Sequence, residues 1–188
     1  MITRQLPRQL LLAVTGSMLG LALIAGCKKD AMHADEKDAV TNALKSNNLG
    51  DISVSQDRDK GVMTLTGNVQ SEDQKSQAES VVKQAAPDYV VADEIGVRPA
   101  GAEGQAKSVA SNLDSAIEDN YKASLKAHKN LDDQSISYSA KNGTLVVKGT
   151  VKTAAQRKEA FQLAKAVPNV QQVVNEIEVK PSKHSTTE

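Results

Sequence analysis

The sequence predicts an α+β fold built twice: two tandem units of order αββαβ, each a three-stranded mixed sheet with two helices on one face. Three observations carry that expectation. The stretch Gly61–Val69 (Gly-Val-Met-Thr-Leu-Thr-Gly-Asn-Val) returns 82 residues later as Gly143–Val151 (Gly-Thr-Leu-Val-Val-Lys-Gly-Thr-Val). A fixed-period echo is a duplicated structural unit until shown otherwise. In both stretches apolar residues recur at every second position, the period of a half-buried strand: Met63, Leu65 and Val69 in one, Leu145, Val147 and Val151 in the other. Each is followed by an amphipathic helix pattern that stops at a proline, Pro87 or Pro168.

The elements follow in order. Residues 34–46 place Ala39, Val40, Ala43 and Leu44 on one helical stripe, and Asn47-Asn48-Leu49-Gly50 ends it with turn residues. Residues 52–56 read as a strand, and Asp57-Arg58-Asp59-Lys60-Gly61 as a hairpin turn. That turn resembles the opening of a calcium loop. Its glycine falls one place early, however, and Asn68 stands where the closing glutamate belongs, so no metal site is expected.

Gly67 shares parity with the buried residues of its strand, as Gly149 does in the second unit. These two structural glycines predict a close backbone approach. The expected neighbour is the following helix, with small Ala78 lying over Gly67. Ser71-Glu72-Asp73-Gln74 has capping-box spacing, Ala78, Val81, Val82 and Ala85 form the helix's buried stripe, and residues 89–97 give the last strand.

Pro99–Gly104 reads as a short flexible join within a linker over 99–106. The second unit opens with a helix over about 106–129, with Val109, Leu113, Ala116, Ile117, Asn120, Tyr121 and Leu125 as its buried stripe. Residues 135–140 form a strand, Lys141-Asn142-Gly143 a hairpin turn, Thr153-Ala154-Ala155-Gln156 a second capping box, and Val173, Ile177 and Val179 one face of the last strand. The outer sheet faces carry Thr64 and Thr66, or Lys148, Thr150, Glu176 and Glu178, which describes a solvated face or a weak interface.

At the N-terminus, Arg4 and Arg8 precede an apolar run over 10–25 that ends Leu23-Ile24-Ala25-Gly26-Cys27. This is the grammar of a secretory signal, too short and wrongly flanked to span a membrane. With Cys27 directly after Ala-Gly, it resembles the bacterial lipoprotein lipobox. That resemblance implies acylation of Cys27 and a membrane anchor of several acyl chains, more than the single chain that binds only marginally. Cys27 is the sole cysteine, so no intramolecular disulfide is available. Lys28 follows where an aspartate would mark inner-membrane retention, so the resemblance points to the inner leaflet of the outer membrane, facing the periplasm.

The domain plan is therefore a signal peptide over 1–26, a tether over 27–34, units over 35–98 and 107–181 joined by the linker, and a disordered polar tail over 182–188.

Charge sorts between the units. The whole chain balances 23 basic against 23 acidic residues, but 37–98 holds 7 basic against 10 acidic and 107–180 holds 11 against 8. The aromatics are Tyr89, Tyr121, Tyr138 and Phe161, with no tryptophan, too few for a stacking platform on single-stranded nucleic acid. His33, His128 and His184 stand apart with no repeat-related partners, and no nucleophile–base pair or phosphate loop is present; neither enzyme activity nor a cofactor is expected.

The order of elements, the glycine strand (Leu-Thr-Gly-Asn-Val, Val-Lys-Gly-Thr-Val) and the repeated Glu-Ile-x-Val ending (Glu94–Val97, Glu176–Val179) resemble the BON domain, named for "bacterial OsmY and nodulation". With the lipobox, the whole resembles the dual-BON periplasmic lipoproteins. That resemblance implies a non-enzymatic envelope module that binds phospholipid, withstands osmotic stress and keeps the outer membrane intact, with the second unit facing lipid. The residues agree: Lys122, Lys126 and Lys129 recur around Tyr121 and Tyr138 in the basic unit, and together with Tyr121 they are the candidate phospholipid-binding residues. The competing reading is a protein–protein adaptor in the periplasm, using the open sheet face or an edge strand.

Overall fold

The computed structural model describes residues 32–180. The signal peptide, Cys27 and the C-terminal tail lie outside the described residues. Within them the chain forms α1 (Lys37–Ser46), β1 (Ser53–Asp57), β2 (Val62–Val69), α2 (Glu72–Ala85) and β3 (Val90–Val97), then α3 (Glu103–Ala127), α4 (Lys129–Asp132), β4 (Ser135–Lys141), β5 (Thr144–Val151), α5 (Ala154–Ala166) and β6 (Gln172–Val179). Two separate three-stranded sheets result, ordered β1-β2-β3 and β4-β5-β6. In each, the hairpin pair is antiparallel and the pair joined by a helical crossover is parallel.

The repeat is exact where the crossover is concerned. Val62 pairs with Val90 and Thr144 with Gln172, and eight consecutive rungs of each parallel pair keep the 82-residue offset. The hairpins differ. Asp57 pairs with Val62 across four loop residues, whereas Lys141 pairs with Thr144 across Asn142-Gly143 alone. Asn142 and Gly143 take φ of 48° and 82°, the left-handed pair that a type I′ turn requires. The tighter turn slides β4 two residues along β5 relative to β1 on β2. An even slip leaves every side chain on its original face, so the core is undisturbed.

Each unit has its own core. Val40, Leu44, Met63, Leu65, Ala78, Val82 and Ile95 fill the first; Ile117, Tyr121, Leu125, Leu145, Val147, Ala160 and Ile177 fill the second. The helix caps follow the sequence in part. Thr153 and Gln156 form a complete reciprocal box. In α2, Ser71 Oγ accepts from Gln74 N at 3.3 Å, but the Gln74 side chain returns to the N–H of Gln70, one residue before the cap.

Four expectations are corrected. The element crowding Gly67 is not a helix: an added Cβ would stand 2.8 Å from the Asp51 carbonyl oxygen, in the chain entering β1. At Gly149 the Cβ would overlap the carbonyl of Ser135, on the neighbouring strand β4. The glycines have φ of 135° and 124°, so they serve the hairpin partner and not the crossover helix. The helix α3 begins at Glu103, which takes residues 103–106 out of the linker, and it breaks at His128 before Lys129. Val109 and Leu113 are 58% and 41% exposed and lie beyond the second core. With Val97, Ala106 and Ala110 they line an open cleft of about 450 Å³ beside Arg98. Finally, His33 and Ala34, assigned to the tether, are bound to unit 1 through their backbones.

The outer sheet faces form an interface. Val62 and Ala92 of unit 1 meet Val146 and Val174 of unit 2 in a small apolar cluster. Gln172 Nε2 donates to the Val91 carbonyl at 2.8 Å and its Oε1 accepts from Asp93 N at 2.9 Å, while the Thr144 hydroxyl donates to the Asp93 carbonyl. Two ion-pair sets flank this patch. Glu176, its side chain only 4% exposed, meets Lys60 of unit 1 at 3.1 Å and Lys148 at 3.3 Å; Lys141 of unit 2 meets Glu94 of unit 1 at 3.3 Å. Glu94 and Glu176 are repeat-equivalent, so the units face each other about an approximate two-fold axis.

Candidate functional site

The predicted site residues sit on α3 and the start of α4. At the N-terminus of α3, the Glu103 carboxylate accepts from Gly101 N at 3.0 Å. The N–H groups of Glu103 and Gly101 hold its carboxyl below the usual carboxylate range. Ile117, Tyr121 and Leu125 recur every four residues and point into the second core. Lys122 and Lys126 each follow a buried position by one, so they stand on the exposed shoulder of the helix. His128 ends α3: its N–H donates to the Leu125 carbonyl at 3.1 Å, and Nδ1 lies 2.7 Å from the Ser124 carbonyl oxygen. Past this break, Leu131 re-enters the core and Lys129 is exposed at the head of α4.

Tyr121 is separated from the lysines. It is fully buried, its hydroxyl donates to the Ala160 carbonyl of α5 at 3.1 Å, and its ring meets Tyr138 edge-on at 5.2 Å. Burial, with Tyr138 second, pushes the hydroxyl far above the ordinary tyrosine range, so it stays neutral. Tyr138 is raised by burial and then by Glu118 and Asp119. Tyr121 therefore acts as a strut between α3 and α5 and offers no atom to a head group; its assignment to the site is corrected on that ground.

Two acids of α3, Asp114 and Glu118, face the hairpin, while Asp119 is exposed. Asp114 accepts from Asn142 N at 2.8 Å through Oδ2 and from Gly143 N at 2.9 Å through Oδ1, and Glu118 Oε1 accepts from Ala140 N at 2.8 Å. These two carboxylates hold the helix along β4 and leave its cations to solvent. Sequence reasoning missed them because helix and turn are 28 residues apart and no local motif joins them. Among the described residues, no carboxylate lies within ion-pair range of Lys122, Lys126 or Lys129. Arrayed this way, three unpaired ammonium groups can bind an anionic surface; they form no enclosed pocket. The cysteine expected to carry lipid lies outside the described residues, and the structural glycines sit in the sheets, away from this face.

Among the described residues no group of three or more His, Cys, Asp or Glu side chains could hold a metal ion, and no helix is long and apolar enough to cross a membrane.

Comparison with known proteins gives concordant matches. The BON domain family profile matches residues 34–99 and again 113–181. The chain is 31% identical over 150 residues to the Osmotically-inducible protein Y of Escherichia coli (strain K12), covering 77% of this chain and 73% of that protein. It is also 31% identical over 124 residues to an uncharacterized protein in the gshII 5'region of Anaplasma centrale, covering 66% of this chain and 80% of the relative. Among solved structures it is similar to CdsD, a structural protein of the type III secretion system of Chlamydia trachomatis, at 14% identity, with 79% of this chain and 63% of that chain covered. A TM-score of 0.29 leaves that likeness without structural weight.

Proposed function

The chain belongs to the BON domain family, and from that premise we propose that it is a lipid-anchored envelope protein that binds anionic phospholipid through its second unit. In this reading Cys27 carries the anchor in the outer membrane's inner leaflet, the units lie in the periplasm, and the protein supports outer-membrane integrity under osmotic stress. The name of the Escherichia coli relative, an osmotically inducible protein, agrees with that role.

The observation that carries the proposal is the outward face of α3 and α4. Lys122, Lys126 and Lys129 are exposed and unpaired, while Asp114 and Glu118 are engaged with the hairpin; Asp119, Asp132 and Asp133 are exposed on the same stretch and reduce its net charge. A lysine near an anionic leaflet contributes about 1 kcal/mol, so three give roughly 3 kcal/mol. That is enough to orient a protein already anchored by lipid, though weak as a sole attachment.

Co-sedimentation with vesicles containing phosphatidylglycerol tests this. K122E/K126E should lower binding by about 100-fold or more, since each reversal removes an attraction and adds a repulsion, and raising salt should weaken the native protein in the same direction. Unaltered binding would remove the face from consideration. Y121F, a substitution at the core strut, should leave binding unchanged while costing about 1 kcal/mol of stability for the lost hydrogen bond to the Ala160 carbonyl.

The adaptor reading is narrowed by what already occupies the surfaces it would use. The open sheet faces cover one another in part, around Val62, Ala92, Val146 and Val174. The β3 backbone is engaged by Gln172 and Thr144, and Ala140 N on β4 by Glu118. β1 and β6 are the edges left for a partner strand.

A further inference from the structure

His33 enters unit 1 as a docked residue. Its N–H donates to the Arg58 carbonyl at 3.0 Å, and its own carbonyl accepts from Arg58 Nε at 2.8 Å. Beside it, the Ala34 carbonyl accepts from Gln56 Nε2 at 2.8 Å and from the Tyr89 hydroxyl. The His33 ring stacks at a tilt on Tyr89, 5.1 Å between centroids, and covers Gly61, where any Cβ would overlap the imidazole. The chain is thus gripped at the β1–β2 turn. Only five residues, Lys28–Met32, separate this grip from Cys27. Extended backbone spans at most about 3.3–3.6 Å per residue, so the cysteine lies within roughly 20 Å of the grip.

The topology fixes which end of the molecule that is. β3 begins at the unit-1 turn, where Val90 N donates to the Gly61 carbonyl. Just past its end it reaches the unit-2 turn, where Arg98 Nη2 donates to Asn142 Oδ1. The two turns therefore point in opposite directions. α3 passes the unit-2 turn at Asp114 and runs away from it, ending beside the start of β4. Lys122, Lys126 and Lys129 accordingly lie at the same end as Arg58. Met32 and Val90, exposed at 59% and 54%, stand at the exit point. Asp57, Asp59 and Asp88 also face solvent near it, so unit 1 contributes position there and no attraction for anionic lipid.

We propose that His33–Ala34 is a clamp that fixes where the lipid tether leaves the fold, so that the anchor and the α3 lysines engage one bilayer together, end-on, with the Asn142 turn pointing away from it. The proposal rests on the acylation and phospholipid binding put forward above.

Full-length acylated chain, reconstituted into vesicles of phosphatidylethanolamine and phosphatidylglycerol, tests it. A fluorophore is placed by D59C, A123C or S108C, and energy transfer to a lipid-borne acceptor is read. Labels at 59 and 123 should transfer several-fold more than the label at 108. Equal transfer from 108 and 59 overturns the pose. Adding R58A should erode the contrast between 59 and 108; an unchanged contrast overturns the clamp. Mass spectrometry of the same preparation reads acylation of Cys27 separately. Loss of the pattern in an acylated chain therefore counts against the clamp and not against the anchor. Strong transfer at 59 with weak transfer at 123 overturns the joint pose through its lysine arm, the part K122E/K126E tests on its own.

Discussion

The two units share a crossover residue for residue and differ almost everywhere else. β2–β3 and β5–β6 hold one register through eight rungs, while the hairpins differ by two residues of slip and the opening helices by 10 residues against 25. The difference teaches which part of the fold is constrained. A parallel pair is positioned by a helix packed on both of its strands, so a slip there would move a whole core layer. A hairpin can slip by two and preserve its faces, provided that a glycine remains where the partner backbone crowds the strand. The second unit has used this freedom to tighten its turn and to lay a long helix along its hairpin, with Asp114 and Glu118 as fastenings.

Substitutions at equivalent positions can break this comparison. The largest effect is expected at the crowded glycines. G149A forces a Cβ into the Ser135 carbonyl at a φ of 124° and should cost about 3 kcal/mol or more. G67A meets the Asp51 carbonyl at 2.8 Å, where entering chain can yield, and should cost about 1–2 kcal/mol. Urea unfolding followed by circular dichroism gives both values; equal losses would mean that the tighter hairpin imposes no added crowding.

Next come the paired glutamates. E176A strips a nearly buried carboxylate from two lysines and should cost about 2–3 kcal/mol, whereas E94A removes one half-exposed pair and should cost about 1 kcal/mol. If E94A proves the costlier in the same titration, the interface is asymmetric in the opposite sense.

The smallest effect concerns Asp93 and its counterpart Asn175. Both accept from the N–H two residues on, Ile95 at 3.0 Å and Ile177 at 3.1 Å. Burial raises the Asp93 carboxyl above its ordinary range, opposed by the Ile95 N–H and Lys75 and assisted by Glu79 and Glu72. With a native value above the unfolded one, the folded chain holds the extra proton, so this residue's contribution falls as pH climbs from the ordinary carboxylate range through the raised native value. D93N should therefore give a small rise in melting temperature at neutral pH and none well below pH 4, flattening that part of the profile. A melting temperature lowered at pH 7 would show that the charge stabilises through Lys75.

Much of this architecture was legible in the sequence. Asn142-Gly143 named its turn, Thr153 and Gln156 named their cap, and alternation found all six strands. The sheet-to-sheet interface was left open beside a solvated face, because Thr64, Thr66, Lys148 and Glu176 suit either. Yet Leu145-Val146-Val147 and Val91-Ala92 are apolar on both faces, which is how a strand covered on both sides reads. For the candidate site, the exposure of the lysines was legible from spacing alone. Tyr121 was misassigned because a tyrosine beside lysines looks amphipathic, whereas its spacing with Ile117 and Leu125 already placed it inward. The grip of Arg58 on His33 left no trace, since a residue 25 positions away holds the backbone of His33 and no local motif joins the two.

The approximate two-fold relation between the sheets has a consequence for ancestry and for dissection. Each unit presents nearly the same patch to the other, which is how identical subunits meet in an isologous homodimer. A chain holding one such unit would expose that patch and be drawn to its own kind, at a cost set by concentration. Joining two copies through a few residues replaces that dependence with a fixed local concentration, and it frees each half to diverge once its twin can no longer be exchanged.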